Sequence, residues 1–125
     1  MDEKPKAMSL RDDSKPDTIL THAGRDPHAN FGVVNPPVYH ASTILFRTVE
    51  AMEQAQKKRF FTMTYGRHGT PTTFALEEAF ARLEGGWRAI AVPSGLAAIV
   101  GAITGFVRAG DHVLVTDNVY GPTRR

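Results

Sequence analysis

Residues 89–107 read AIAVPSGLAAIVGAITGFV. The opening run, Ala89, Ile90, Ala91 and Val92, is apolar and suits a buried strand. Pro93, Ser94 and Gly95 interrupt it. From Leu96 onward Leu96, Ile99, Val100, Ile103 and Val107 recur near one helical stripe, so the stretch predicts strand, small-residue turn, helix. Backbone N–H groups from Ser94 to Ala97 would then stand at a helix mouth, without intrahelical acceptors and at the positive end of the helix dipole. Gly95 admits close approach to the backbone, and a phosphate would bind well there. A plainer reading serves the same residues: Ser94 caps the helix and Gly95 makes the turn.

The flanks decide how this stretch is used. Residues 112–116, HVLVT, read as a second buried strand. Strand, helix and strand over 89–116 would form a parallel βαβ unit with a right-handed crossover. Ligands of open α/β sheets sit beyond the C-terminal strand ends, where both Ser94–Gly95 and Tyr120 would lie, and that shared edge favours the phosphate reading. Tyr120 could stack on a planar cofactor or pack over the sheet end. Upstream, residues 65–72, YGRHGTPT, form a glycine-rich loop. Arg67 offers forked donors to a phosphate and Tyr65 a phenolic one, although a solvated loop arginine accounts for Arg67 equally well. Thr72 or Thr73 is expected to cap a helix reaching about Leu83, with Phe74, Leu76, Phe80 and Leu83 on its apolar face and Gly85-Gly86 as its stop.

Earlier still, residues 48–57 carry Thr48 as a cap, Glu50 in the first turn and lysines at the end, a charge order that suits a short helix. Residues 33–46, VVNPPVYHASTILF, are extended by Pro36 and Pro37. They read either as a strap across another surface or as a long loop of the same domain. Residues 18–24 allow one helical turn ended by Gly24. Residues 1–17 are polar and charged and are expected to be a loose arm.

Composition narrows the classes. The chain has 125 residues, 42% hydrophobic and 22% charged, which is ordinary for one small globular domain. It has no cysteine, which excludes disulfides and thiolate metal sites. The net charge of +2 comes from interleaved signs, so nothing supports a nucleic-acid groove. No apolar run is long enough to span a bilayer and no secretory apolar core opens the chain, so the expected address is the cytoplasm. The five histidines lack metal-ligand spacing. Ser94 has no evident histidine–acid partner, and the dinucleotide and Walker fingerprints are absent.

Taken together, VNPPVYHASTILF, YGRHGTPT with the FALEEAFARLEGG that follows, PSGLAA and GDHVLVTDNVYGPT resemble the N-terminal part of the Cys/Met metabolism enzymes that use pyridoxal phosphate. The resemblance runs from about residue 18 to 125. It implies a fold-type I α/β transferase-like architecture, with residues 1–64 as an arm on a neighbouring subunit and 65–125 as the beginning of the large cofactor-binding domain. It implies that Ser94, Gly95 and Leu96 hold the phosphate of pyridoxal 5′-phosphate. Tyr120 would stack on the pyridine ring and steer protons. Tyr65 and Arg67 would bind the phosphate of the neighbouring subunit, in a homotetramer built as a dimer of dimers. Within the family the likeness is greatest to bacterial enzymes that cleave cystathionine by α,β-elimination to homocysteine, pyruvate and ammonia in methionine biosynthesis. The same motifs serve γ-synthases, γ-lyases and homoserine-ester sulfhydrylases. Thr70 stands where many relatives carry Asn, which leans toward the β-elimination branch. By the same likeness the Schiff-base lysine, the aspartate on the pyridine nitrogen and the arginine for the substrate carboxylate lie beyond Arg125, and Lys57 and Lys58 do not replace that lysine. The expectation is therefore a piece of a longer enzyme, inactive by itself, with an aggregation-prone fragment as the non-enzymatic alternative.

Overall fold

The computed structural model describes residues 14–124. Most of the loose arm expected over 1–17 lies outside them. The chain divides into two compact units, the first ending at Ala91 and the second beginning at Val92.

The first unit is assembled on its third helix. Helix α1 spans Pro16–His22, α2 spans Val49–Lys57 and α3 spans Pro71–Leu83. Thr70, not Thr72 or Thr73, occupies the N-cap position of α3, because Pro71 at N1 needs no N–H partner and has its φ preset for the helix. Thr72 is put to another use. Its hydroxyl accepts the Tyr39 N–H at 3.0 Å and donates to the Pro37 carbonyl, so the proline-stiffened segment is tied to the first turn of α3 in its own chain. The far end of α3 closes as a Schellman motif. Gly85 takes φ 64°, and the Gly86 N–H reaches back to the Ala81 carbonyl at 2.7 Å. Thus Gly85-Gly86 stops the helix as the sequence predicts.

Helix α1 packs on α3. Gly24, with φ 71°, permits that approach, since a Cβ there would overlap the Ala75 carbonyl of α3. Helix α2 begins where Thr48 accepts the Ala51 N–H at 3.1 Å, a cap that satisfies one of the helix's orphan donors. The core of the unit is small: among the described residues Ala55 and Ala81 are its buried apolar side chains. Leu76 and Phe80, expected on a covered face of α3, remain 51% and 54% exposed.

The second unit holds helix α4, Gly95–Thr104, which ends one turn earlier than the apolar stripe suggested. None of its residues is buried. The runs 89–92 and 112–116, expected as paired parallel strands, carry no ladder among the described residues, where the isolated antiparallel bridge Thr43–Tyr65 stands instead. Among the described residues, therefore, the βαβ sheet is not formed. A parallel strand satisfies its backbone only through neighbours and is stable only with both faces covered. Here Ile90 is 70% and Leu114 92% exposed, so much of the apolar content that marked these runs as strands stays uncovered.

Candidate functional site

Two groups of residues singled out in the sequence stand in different units, and each has its own geometry.

In the second unit, Ser94 is the N-cap of α4 in extended conformation, and its Oγ accepts the Ala97 N–H at 3.1 Å. The capping reading of Ser94 is thus correct as far as it goes. It does not exhaust the site. The N–H groups of Gly95 and Leu96, at the first two positions of the helix, make no hydrogen bond among the described residues. A Cβ built on Gly95 meets nothing within 4 Å. Neither a positive φ nor internal packing requires glycine there. Two unengaged donors at the positive end of a helix, a glycine opening on free space and a capping hydroxyl whose O–H remains to be donated fit an anion such as a phosphate. Tyr120 belongs to the same unit and is 73% exposed, just before a 3-10 turn at Gly121–Thr123. No hydrogen bond or ring contact joins it to Ser94–Leu96 among the described residues. An ion pair of the segment lies elsewhere, between Arg124 and Asp117 at 2.6 Å.

In the first unit, Tyr65, Arg67 and His68 belong to one built loop. Thr43 bridges Tyr65, and the Gly66 N–H donates to the Ser42 carbonyl at 2.7 Å. Gly66 is obligatory, because a Cβ would overlap the Ala41 carbonyl, and Gly69, with φ 134°, would strike the Phe74 ring. The Ser42 hydroxyl donates to the phenolic oxygen of Tyr65 at 3.3 Å, leaving the phenolic O–H free to donate outward. The Tyr65 ring meets His68 edge-on at a centroid distance of 5.6 Å. A 3-10 turn over Gly66–His68 carries Arg67 into solvent, where no hydrogen bond, ion pair or ring contact holds it among the described residues. The bridge and the two glycines set the shape of the loop, and among the described residues its guanidinium is unspent.

One cluster escaped the sequence reading. Glu77 and Arg88, eleven residues apart across the Gly85-Gly86 stop, form an ion pair at 3.2 Å with side chains only 11% and 15% exposed. Arg88 also donates to the Phe60 carbonyl at 2.6 Å and lies over the Phe60 and Phe61 rings at 4.9 and 5.1 Å. The second carboxylate oxygen of Glu77 accepts the Ala91 N–H at 2.9 Å. The cluster borders an open cleft of about 320 Å³ lined also by Trp87 and Phe74. The only sequence signal for it is the helix reversal at Gly85-Gly86, which returns residue 88 alongside the helix.

The profile of the family described as "Cys/Met metabolism PLP-dependent enzyme" matches residues 17–125. A Rhizobium johnstonii protein provisionally named cystathionine beta-lyase is 54% identical over 116 residues, which cover 93% of this chain and 28% of that protein. The cystathionine beta-lyase of Escherichia coli is 41% identical over 113 residues, 90% of this chain and 29% of that enzyme. An L-alanine/L-glutamate racemase of Wolbachia pipientis is 40% identical over 121 residues, 89% of this chain and 30% of that enzyme. The chain thus spans less than a third of the length of these relatives.

Proposed function

The chain belongs to the Cys/Met metabolism PLP-dependent enzymes, and on that premise we propose that it supplies the phosphate cup and a partner-reaching loop of a carbon–sulfur lyase. The reaction is α,β-elimination of cystathionine to homocysteine, pyruvate and ammonia. The observation that carries the reading is the mouth of α4, where the Gly95 and Leu96 N–H groups are unengaged among the described residues and Gly95 opens on free space.

Pyridoxal 5′-phosphate, when bound, supplies an electron sink for the charge left as the substrate gives up its α-proton. The residues of this chain hold and orient. Gly95 and Leu96 donate backbone N–H groups to the phosphate and Ser94 adds its hydroxyl, while the dipole of α4 favours the anion. Tyr120 offers an exposed ring to lie against the pyridine face and a phenol to hold a proton beside it. Arg67 and Tyr65 reach the phosphate of a neighbouring subunit, which uses the unpaired guanidinium of a loop that Gly66 and Gly69 hold in shape. On this reading residues 1–64 lie against that neighbour, the assembly is a homotetramer of paired dimers, and it works in the cytoplasm. Support for the β-elimination branch comes from the two relatives named for cystathionine beta-lyase.

The racemase relative favours a second reading, in which the α-proton is removed and returned with no leaving group expelled. Both readings use the same cup. They separate on product: the full-length protein given cystathionine releases pyruvate on the first reading, while on the second it converts L-alanine to the D form and releases no keto acid. Release of 2-oxobutyrate would move the assignment to a γ-lyase of the same family. Failure of the full-length protein to bind pyridoxal phosphate would overturn every branch.

A further inference from the structure

Ser42 touches the Tyr65–Gly66 pair twice. Its carbonyl accepts the Gly66 N–H at 2.7 Å, and its hydroxyl donates to the phenolic oxygen of Tyr65 at 3.3 Å. The next residue, Thr43, forms the antiparallel bridge to Tyr65. The backbone of residues 42–43 thus fixes where the tyrosine begins, and the serine hydroxyl meets its far end. Ser42 and Tyr65 are 23 positions apart, so the fold alone brings them together. A phenol has one proton to give and an oxygen that can accept. With the Ser42 proton on that oxygen, the phenolic proton is left for another acceptor, and among the described residues it has none. A hydroxyl that accepts one bond is polarised into a better donor of the next. Tyr65 is 38% exposed and stands two residues before the exposed Arg67. Its ring meets His68 edge-on at 5.6 Å.

From these contacts we propose that Ser42 is a positioning residue for Tyr65, turning the phenolic O–H outward as a donor to a phosphate oxygen. The proposal rests on the reading of Tyr65 and Arg67 as donors to a neighbouring subunit's phosphate. The proline-stiffened segment then does more than lie across a surface, because it sets the proton of the loop's tyrosine. Without the serine hydroxyl the phenolic O–H turns among water acceptors, and its direction is no longer preset. The loss falls on the phosphate and spares contacts made to the rest of the cofactor. It is modest, because 3.3 Å is long for a bond between two hydroxyls.

The test is a double-mutant cycle on the full-length apoprotein, titrated with pyridoxal phosphate and, separately, with pyridoxal, following the absorbance of each. Tyr65→Phe, which removes the donor, is expected to lose about tenfold in affinity for pyridoxal phosphate. Ser42→Ala keeps the carbonyl that holds Gly66 and is expected to lose about threefold, with affinity for pyridoxal unchanged. In the Tyr65→Phe chain the same Ser42→Ala change is expected to cost nothing further, since its target is gone. Ser42→Thr retains a hydroxyl and is expected to bind both ligands like wild type. Should Ser42→Ala fail to fold, Ser42→Val replaces it and is compared with Ser42→Thr, which has nearly the same shape. The serine is not a positioning residue for Tyr65 if its removal costs the same factor in the Tyr65→Phe chain, costs as much with pyridoxal, or costs nothing with either ligand. Each of those results leaves Tyr65 a phosphate donor. Tyr65→Phe protein that binds pyridoxal phosphate like wild type would instead overturn the reading of the loop itself.

Discussion

Ser94 and Ala97 are joined across the first turn of α4 by a side-chain cap of 3.1 Å. That bond takes one of the helix's orphan donors and leaves those of Gly95 and Leu96 to a ligand. It also gives Ser94 a part in the fold that Gly95 lacks, because the Ser94 oxygen caps the helix whereas a Cβ at Gly95 meets nothing within 4 Å.

Gly95→Ala should therefore split stability from binding. The added Cβ meets nothing within 4 Å. Alanine is the better helix former by about 1 kcal/mol in a helix interior, and by less in a first turn. The apoprotein is expected to melt no lower than wild type, while pyridoxal phosphate affinity falls at least about tenfold, because the methyl group occupies the approach to the backbone donors. Thermal melting and a cofactor titration on one preparation check both halves.

Gly66→Ala should strike stability first. Its Cβ would overlap the Ala41 carbonyl, a backbone atom that cannot swing aside. The Thr43–Tyr65 bridge and the bond from Gly66 N–H to Ser42 depend on that approach. A loss above about 2 kcal/mol is expected, read by denaturant unfolding, and the protein that remains folded should also bind the cofactor more weakly, because the loop that presents Arg67 and Tyr65 is distorted.

The N-terminus of α2 offers an electrostatic test. The backbone N–H of Glu50 and the Thr48 hydroxyl, in that order, hold the Glu50 carboxyl below the ordinary glutamate range. A lowered folded-state value means that the associated stabilisation is present above the unfolded value and is lost as pH falls through the folded one. In Thr48→Ala the Glu50 titration should move up toward an ordinary glutamate. The lost cap itself should cost α2 about 1 kcal/mol. Side-chain NMR titration of Glu50, with hydrogen exchange along α2, measures the two effects.

How far these features were legible in the chain follows from the range of the forces involved. Helix ends are local: Thr48, Ser94, Gly24 and Gly85-Gly86 announce themselves because a cap or a left-handed residue acts within a few positions. The misplaced start of α3 is a local error too, since Pro71 at the first helical position outweighs the hydroxyls at Thr72 and Thr73. Strands are not local. Residues 89–92 and 112–116 have strand composition, but composition cannot provide the neighbour that a ladder needs. The donors of Ser94–Leu96 were readable because a helix mouth is defined by its own turn. The Glu77–Arg88 pair was not, because its partners come from three separated segments and only the fold brings them together.

Arg67 provides the sharpest test of a shared site. It is exposed and unbonded among the described residues, so Arg67→Ala should leave stability within about 0.5 kcal/mol. If its guanidinium serves the neighbour's phosphate, the lesion lies in a different subunit from the cup it damages. Consider full-length Arg67→Ala and Gly95→Ala chains, each nearly inactive alone, unfolded and refolded together in equal amounts. In a hybrid dimer with the arginine acting across the interface, the cup of the Arg67→Ala chain receives a normal Arg67 from its partner and is intact. The other cup carries both lesions. Half of the dimers are hybrids and each has one sound site of two, so the mixture should recover about a quarter of wild-type activity. An arginine acting within its own subunit leaves every site with one lesion, and the mixture would then show no recovery. Pyruvate release from cystathionine reads the difference, and the same mixture melting like wild type would show that the recovery comes from assembled sites and not from improved folding.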